Sequence, residues 1–190
     1  MSELAVRVAR PADGAAFAAI YGPIVAQTII SFEERAPGAD EMGERVRAAL
    51  ERHAWLTAEV DGAIAGYGYA APHRSRPAYR WDVDVSIYVA PAFRGRGIGS
   101  RLYRALFAIL ALQGYQRAYA GIALPNPASV AVHEAAGFRR IGVHRRTGFK
   151  FGRWHDVGWW DRAIRDDAQP AEPRPLAALA ADEVRAALAV

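Results

Sequence analysis

The stretch Val83-Asp84-Val85-Ser86-Ile87-Tyr88-Val89, then Arg94-Gly95-Arg96-Gly97-Ile98-Gly99, then Ser100 to Leu112 decides the fold. The first run reads as a strand and the last as a helix, with a glycine-rich turn between them. Such a turn leaves backbone N–H groups free at the helix start, with the positive end of the helix dipole behind them. A nest of this kind binds phosphate. The chain is therefore expected to hold a phosphorylated ligand at Arg94 to Gly99.

Upstream of this turn, Leu4 to Ala9 alternates apolar and polar residues like a half-buried strand. Pro11-Ala12-Asp13 opens an Ala-rich helix that runs to about Ile24. Thr28 to Pro37 reads as a loop with Phe32 as its one large apolar side chain. Asp40 is placed to cap a second helix, about Glu41 to Arg52, with Met42, Val46, Ala49 and Leu50 on one face. Trp55 to Val60 and Ala63 to Ala71 flank Asp61-Gly62, the strongest local hairpin signal in the chain. A polar loop, Pro72 to Arg80, carries Arg74, Arg76 and Arg80.

Downstream, Gln116 to Ile122 is a strand, and Asn126 caps a short helix that Gly137 ends. Phe138 to Thr147 and Gly158 to Ile164 read as the last two strands. The predicted class is α/β, a mixed sheet with helices layered on it. The composition shifts after Asp166. Residues 1–166 form the predicted domain, and 167–190 a Pro/Ala-rich C-terminal extension, with Leu176 to Val190 able to form a short amphipathic helix.

With 190 residues, 52% of them hydrophobic and 23% charged, the chain is expected to be one globular domain with a full core. No apolar run approaches the ~18 residues that a membrane span needs, and Met1 to Arg7 lacks the layout of a signal peptide. A cytoplasmic location is the expectation. The chain contains no cysteine, which excludes disulfides and zinc–thiolate sites; no metal is expected. The net charge of +4 suits a cleft that draws in an anion. The arginines are scattered and no zinc-finger or RNP-like motif is present, so nucleic acid is not an expected partner.

Counting glycines narrows the ligand. A P-loop requires Lys-Ser/Thr after its last glycine, and none follows here. A dinucleotide fingerprint that starts at Gly95 would need a third glycine where Ser100 stands, and it normally follows the first strand. The remaining pattern is Arg94-x-x-Gly97-x-Gly99, followed by the strand Tyr115 to Ile122, then Asn126-Pro127-Ala128-Ser129, His133 and Gly137-Phe138. This set resembles the acetyl-CoA-binding signature of the GNAT N-acetyltransferase superfamily. From Phe32 to about Trp160 the chain further resembles the phosphinothricin and methionine sulfoximine N-acetyltransferases. That likeness is carried by Trp55 to Gly62, Tyr88-Val89, Leu124-Pro125-Asn126, His133 to Phe138, Gly148-Phe149-Lys150 and Trp154 to Gly158.

The resemblance implies the GNAT acyltransferase fold, a central twisted mixed sheet of about seven strands flanked by about four helices. It implies direct transfer of acetyl from acetyl-CoA to the α-amine of a small amino-acid-like acceptor. With no cysteine to form an acetyl-enzyme, a direct attack is expected. Ile87, Tyr88 and Val89 would supply backbone to the pantetheine arm. Arg94, Gly95, Arg96, Gly97, Ile98 and Gly99 would hold the pyrophosphate, and Asn126 and Ser129 would touch the CoA arm. Asp84 would be the general base, at a position that is usually glutamate in the resembled subfamily; aspartate is one methylene shorter. His133 would donate a proton or contact substrate. Phe32, Arg74, Arg76, Tyr79 and Tyr88 would line the acceptor pocket, with the arginines on its anionic group. The Trp154 to Trp160 cluster and His155 read as packing or a subunit surface, and a homodimer is common in the subfamily. The residues leave open a different amine (a protein N-terminus, a polyamine or an aminoglycoside) and a non-catalytic CoA-binding regulator.

Overall fold

Asp61 and Gly62 both hold positive φ, 50° and 80°, which is the twist that a tight hairpin requires. They join β2 (Trp55–Val60) to β3 (Ala63–Pro72). The computed structural model describes residues 3–190 and extends this hairpin into a seven-stranded sheet. Before the hairpin come β1 (Leu4–Val8), α1 (Gly14–Gln27) and α2 (Ala39–Leu50). After it come β4 (Asp82–Val89), α3 (Ile98–Gln113), β5 (Arg117–Leu124), α4 (Pro127–Ala135), β6 (Arg139–Lys150), β7 (Arg153–Ala163) and α5 (Ala181–Ala189).

The strand order is β1-β2-β3-β4-β5-β7-β6. Every neighbouring pair is antiparallel except β4 and β5, which are parallel and joined through α3. The parallel pairing is short: Asp82 with Arg117, Val83 with Ala118, and Asp84 with Tyr119. Beyond Asp84 the two strands part, while β4 stays paired to β3 as far as Val89.

Alternation along β4 assigns its faces. Val83 and Val85 bury against Leu102, Leu106, Ile109 and Leu110 of α3. The other face carries Asp84, Ser86 and Tyr88. It continues into a second cluster in which Phe17 of α1 meets Tyr67 at 4.5 Å, beside Met42 and Val46 of α2. Each fully buried Leu or Phe side chain contributes about 1.5–3 kcal/mol, so both faces of the sheet are held firmly.

Three local readings differ from the structure. The last two strands form one long hairpin that turns at Phe151 and Gly152, both at positive φ (51° and 74°). The predicted breaks at Thr147 and Gly158 came from Arg145-Arg146-Thr147 and the exposed aromatics around them, which hide the alternation. There the register shifts between His144 and Gly148, and the Arg146 amide donates to Asp156 Oδ1 at 2.8 Å. Helix α2 starts at Ala39 with Gly38 as its cap; Asp40 and Glu41 lie in the first turn, where their charge favours the dipole. Helix α3 starts at Ile98, two residues before the apolar run suggested, because Gly97 ends the turn.

The C-terminal segment lies along the domain. Glu172 pairs with Arg80 at 2.9 Å, and Trp81 Nε1 donates to the Ala171 carbonyl at 2.8 Å. Helix α5 packs on α3, where Arg101 donates to the Leu188 carbonyl at 3.1 Å. Among the described residues, no helix is long and apolar enough to cross a membrane.

Candidate active site

Gly95 and Gly97 both stand at φ 75°, a left-handed conformation that a side chain would strain by about 1–2 kcal/mol. A Cβ at either position would meet nothing within 4 Å, so open space lies above the turn. The first bond of α3 runs from the Arg101 amide to the Gly97 carbonyl at 3.0 Å. The amides of Ile98, Gly99 and Ser100 therefore have no acceptor within the helix. Arg94 flanks them, its Nε donating to the Val89 carbonyl at 3.3 Å. Arg96 packs over Phe93, its guanidinium 5.5 Å from the ring centre.

A cleft of about 500 Å³ runs from this turn along the parted strands. Ile87, Tyr88 and Val89 of β4 form one wall, and Asn126, Ser129 and His133 form the other. Asn126 is held in place by its role as helix cap: its Oδ1 accepts the Ser129 amide at 3.1 Å. The structure thus brings together all the residues expected to hold the donor except Arg96. Asp84 lies on the same face as Tyr88, four residues back along β4, roughly 13 Å away at the rise of a strand. The glycine turn and Asp84 therefore mark the two ends of the parted strands.

His133 uses both ring nitrogens. Its Nδ1 lies 2.7 Å from the Ser129 carbonyl, which only accepts, so the proton is on Nδ1. Its Nε2 then accepts from the hydroxyl of Tyr103 at 2.7 Å. Burial pushes the imidazole below its usual range, opposed by the Ser129 bond, and burial alone pushes the Tyr103 phenol well up. The free ring nitrogen of His133 is therefore taken up by the Tyr103 hydroxyl, and both side chains line the cleft. Sequence reading passed over Tyr103 because its position on α3 has the periodicity of a core residue. Its hydroxyl is the only signal that could have marked it.

Asp84 Oδ1 meets His73 Nδ1 at 2.6 Å. Burial raises the carboxyl above its ordinary range, and the His73 bond and the Arg74 charge pull it part of the way back. His73 was not singled out by sequence. Its ring stacks on Tyr119 of β5, with centroids 4.0 Å apart and planes 14° apart. The loop that follows gathers the other acceptor candidates. Tyr79 stands edge-on to His73 at 6.3 Å, and the Arg74 guanidinium lies 5.8 Å from the Trp159 ring centre. The Arg76 side chain is exposed and makes no hydrogen bond or ion pair among the described residues.

Phe32 rests on the β6–β7 hairpin. A Cβ on Gly148 would fall 2.3 Å from its ring, so the glycine makes the seat. Lys150 fixes the surrounding backbone by donating to the carbonyls of Val25 and Ser31, both at 2.7 Å. His155 is buried beneath it and hydrogen-bonds the Lys150 carbonyl at 3.0 Å, a packing role.

Together, the open glycine positions, the free amides at a helix start and the long cleft fit a ligand with a pyrophosphate and an extended arm, as acetyl-CoA is. Among the described residues no cluster of metal-ligating side chains occurs.

Comparison with known proteins agrees with this geometry. Residues 26–138 match the family model described as acetyltransferase (GNAT) family. The chain is 38% identical over 171 residues to a phosphinothricin N-acetyltransferase of Streptomyces viridochromogenes, covering 90% of this chain and 92% of that protein. It is 31% identical over 168 residues to an L-methionine sulfoximine/L-methionine sulfone acetyltransferase of Salmonella typhimurium, covering 88% and 98%. Among solved structures, a GNAT phosphinothricin acetyltransferase from Sinorhizobium meliloti in complex with acetyl-CoA superposes with a TM-score of 0.83 at 34% identity, covering 90% of this chain and 94% of that one. The expected sheet-and-helix architecture is thus the observed one, and the chain belongs to the GNAT acetyltransferase family.

Proposed function

We propose that this protein acetylates the α-amine of a small amino-acid-like acceptor, of the phosphinothricin or methionine sulfoximine type, using acetyl-CoA. The observation that carries this reading is the placement of Asp84 where β4 and β5 part, between the donor cleft and the loop bearing Arg74 and Arg76. The identities of the relatives point the same way. Acetyl-CoA supplies an activated acyl group and a thiolate leaving group.

The chain's own residues do the rest. The amides of Ile98, Gly99 and Ser100, with Arg94, bind the pyrophosphate. The backbone of Ile87 to Val89 orients the arm. Asp84 accepts a proton from the acceptor ammonium, which a carboxylate does within hydrogen-bond reach or through one water. Tyr103 Oη, held by His133 Nε2, keeps a proton at the cleft wall for a developing anion. Arg76 and Arg74 bind the acceptor's anionic group in a fork geometry, and Tyr79, Tyr88 and Phe32 bound the pocket. A second copy of the chain is the expected partner, supported by the exposed Phe149, Phe151 and Trp154 on the β6–β7 hairpin.

A thiol-release assay tests the reading with methionine sulfoximine, phosphinothricin and spermidine as acceptors. Release with the first two and not the third is expected. Preference for spermidine overturns the anionic acceptor, and tight acetyl-CoA binding with no release from any of them overturns catalysis.

A further inference from the structure

The Asp84 carboxylate has one hydrogen-bond partner among the described residues, and that partner is His73 at 2.6 Å. The His73 side chain is 10% exposed and that of Asp84 36%. The imidazole is therefore held inside while the carboxylate faces outward. Three rings fix the plane of the imidazole: Tyr119 lies parallel at 4.0 Å, and Tyr79 and Trp159 stand edge-on at 6.3 Å and 6.1 Å. Nδ1 is committed to Oδ1, and Nε2 has no protein partner among the described residues. This is more order than a loop histidine needs for packing alone. It resembles the arrangement in which one side chain fixes the orientation of a proton-transferring neighbour.

We propose that His73 is the positioning partner of Asp84: its Nδ1–H holds Oδ1, so that Oδ2 is the oxygen presented to the acceptor amine. The proposal rests on the reading of Asp84 as the base. It accounts for how the shorter aspartate can serve, since a short carboxylate left free would rotate, and a clamped one presents a single oxygen. In the transfer, one ammonium proton moves to Asp84 Oδ2 and leaves from there to water. The amine lone pair forms the C–N bond, the C–S bond breaks with its electrons on sulfur, and the second proton lost by nitrogen balances the thiol. The charged or titratable groups that face the pair are Asp82 on β4, Arg74 and Tyr79 on the loop, Tyr69 on β3 and Tyr119 on β5. None of them donates to Oδ1 in place of His73.

Two variants of the full chain test the proposal. His73→Phe keeps a ring on Tyr119 and removes the donor; His73→Asn keeps an N–H near the Nδ1 position and removes the imidazole. Two readouts apply: steady-state kinetics with methionine sulfoximine across pH, and a carbon-13 carboxyl titration of Asp84 in the substrate-free protein. His73→Phe is expected to lower kcat at least tenfold, to leave the KM for acetyl-CoA within twofold, and to move the Asp84 titration upward. His73→Asn is expected to regain most of the kcat on the alkaline side while its acid limb stays displaced. An Asp84 titration unmoved by His73→Phe, or a kcat within twofold of the parent, overturns the proposal. A parent enzyme that turns over no amino-acid acceptor overturns the acceptor reading instead, and the carboxyl titration still decides the pairing.

Discussion

The hydroxyl of Tyr103 donates to Nε2 of His133 at 2.7 Å, and Nδ1 of the same ring donates to the Ser129 carbonyl one helical turn back. A residue of α3 thus occupies the second ring nitrogen of a residue on α4, and both line the cleft. Tyr103→Phe keeps the stack on Phe107 and leaves Nε2 unpaired. A loss of about 1–3 kcal/mol of stability is expected from the buried, unsatisfied nitrogen. A fall of about tenfold in kcat is expected with little change in either KM, as for a lost proton-transfer partner. Thermal melts and steady-state kinetics on the same preparation check both.

The turn before α3 depends on two left-handed residues. Gly97→Ala forces a side chain into φ 75° and is expected to destabilise the fold by about 1–2 kcal/mol. It also fills the space above the free amides. The KM for acetyl-CoA should rise at least tenfold while the KM for the acceptor holds, and calorimetric titration of acetyl-CoA measures that shift directly.

The Arg76 side chain makes no hydrogen bond or ion pair among the described residues, so its removal isolates ligand binding. Arg76→Ala is expected to leave the Tm within a degree or two, since surface substitutions fall within about 0.5 kcal/mol. The KM for an anionic acceptor should rise tenfold or more, with acetyl-CoA binding unchanged. An equal loss in both would place the acceptor elsewhere.

Asp84 carries opposite consequences for stability and rate. Burial raises its carboxyl in the folded state, so its ionisation opposes folding once the pH passes the ordinary aspartate range, about 3.9. A group raised on folding stabilises below its unfolded pKa and loses that contribution as pH rises through the folded value. Asp84→Asn stays neutral and is expected to melt higher at pH 7, with the gain vanishing toward pH ~3.5. Its kcat should fall most at low pH, where the amine depends on a base, and recover toward alkaline pH. Melting curves and rate profiles across pH separate the two effects.

Legibility in the sequence followed locality. Asp61-Gly62, Gly95, Gly97 and Asn126 act through their own backbone or that of a residue three positions away, so residue type and spacing were enough to read them. The β6–β7 hairpin tip was misread because Phe149, Phe151 and Trp154 are exposed there, which reverses the pattern of a strand resting on a core. His73 and Tyr103 were missed for a different reason. Each looks ordinary in its own segment, and each takes its meaning from a partner brought in by another element: Asp84 and Tyr119 for His73, and His133 for Tyr103.

The sequence by itself determined the strand and helix order, the glycine turn at Arg94 to Gly99 and the family resemblance. All three rest on short-range constraints of φ, capping and alternation. Only the tertiary structure decided where β4 and β5 part, because their parallel register is set by packing of α3 across the sheet and ends at Asp84 and Tyr119. That single pairing puts Asp84 at the point where the strands part and Tyr119 under His73. No local signal along either strand encodes it.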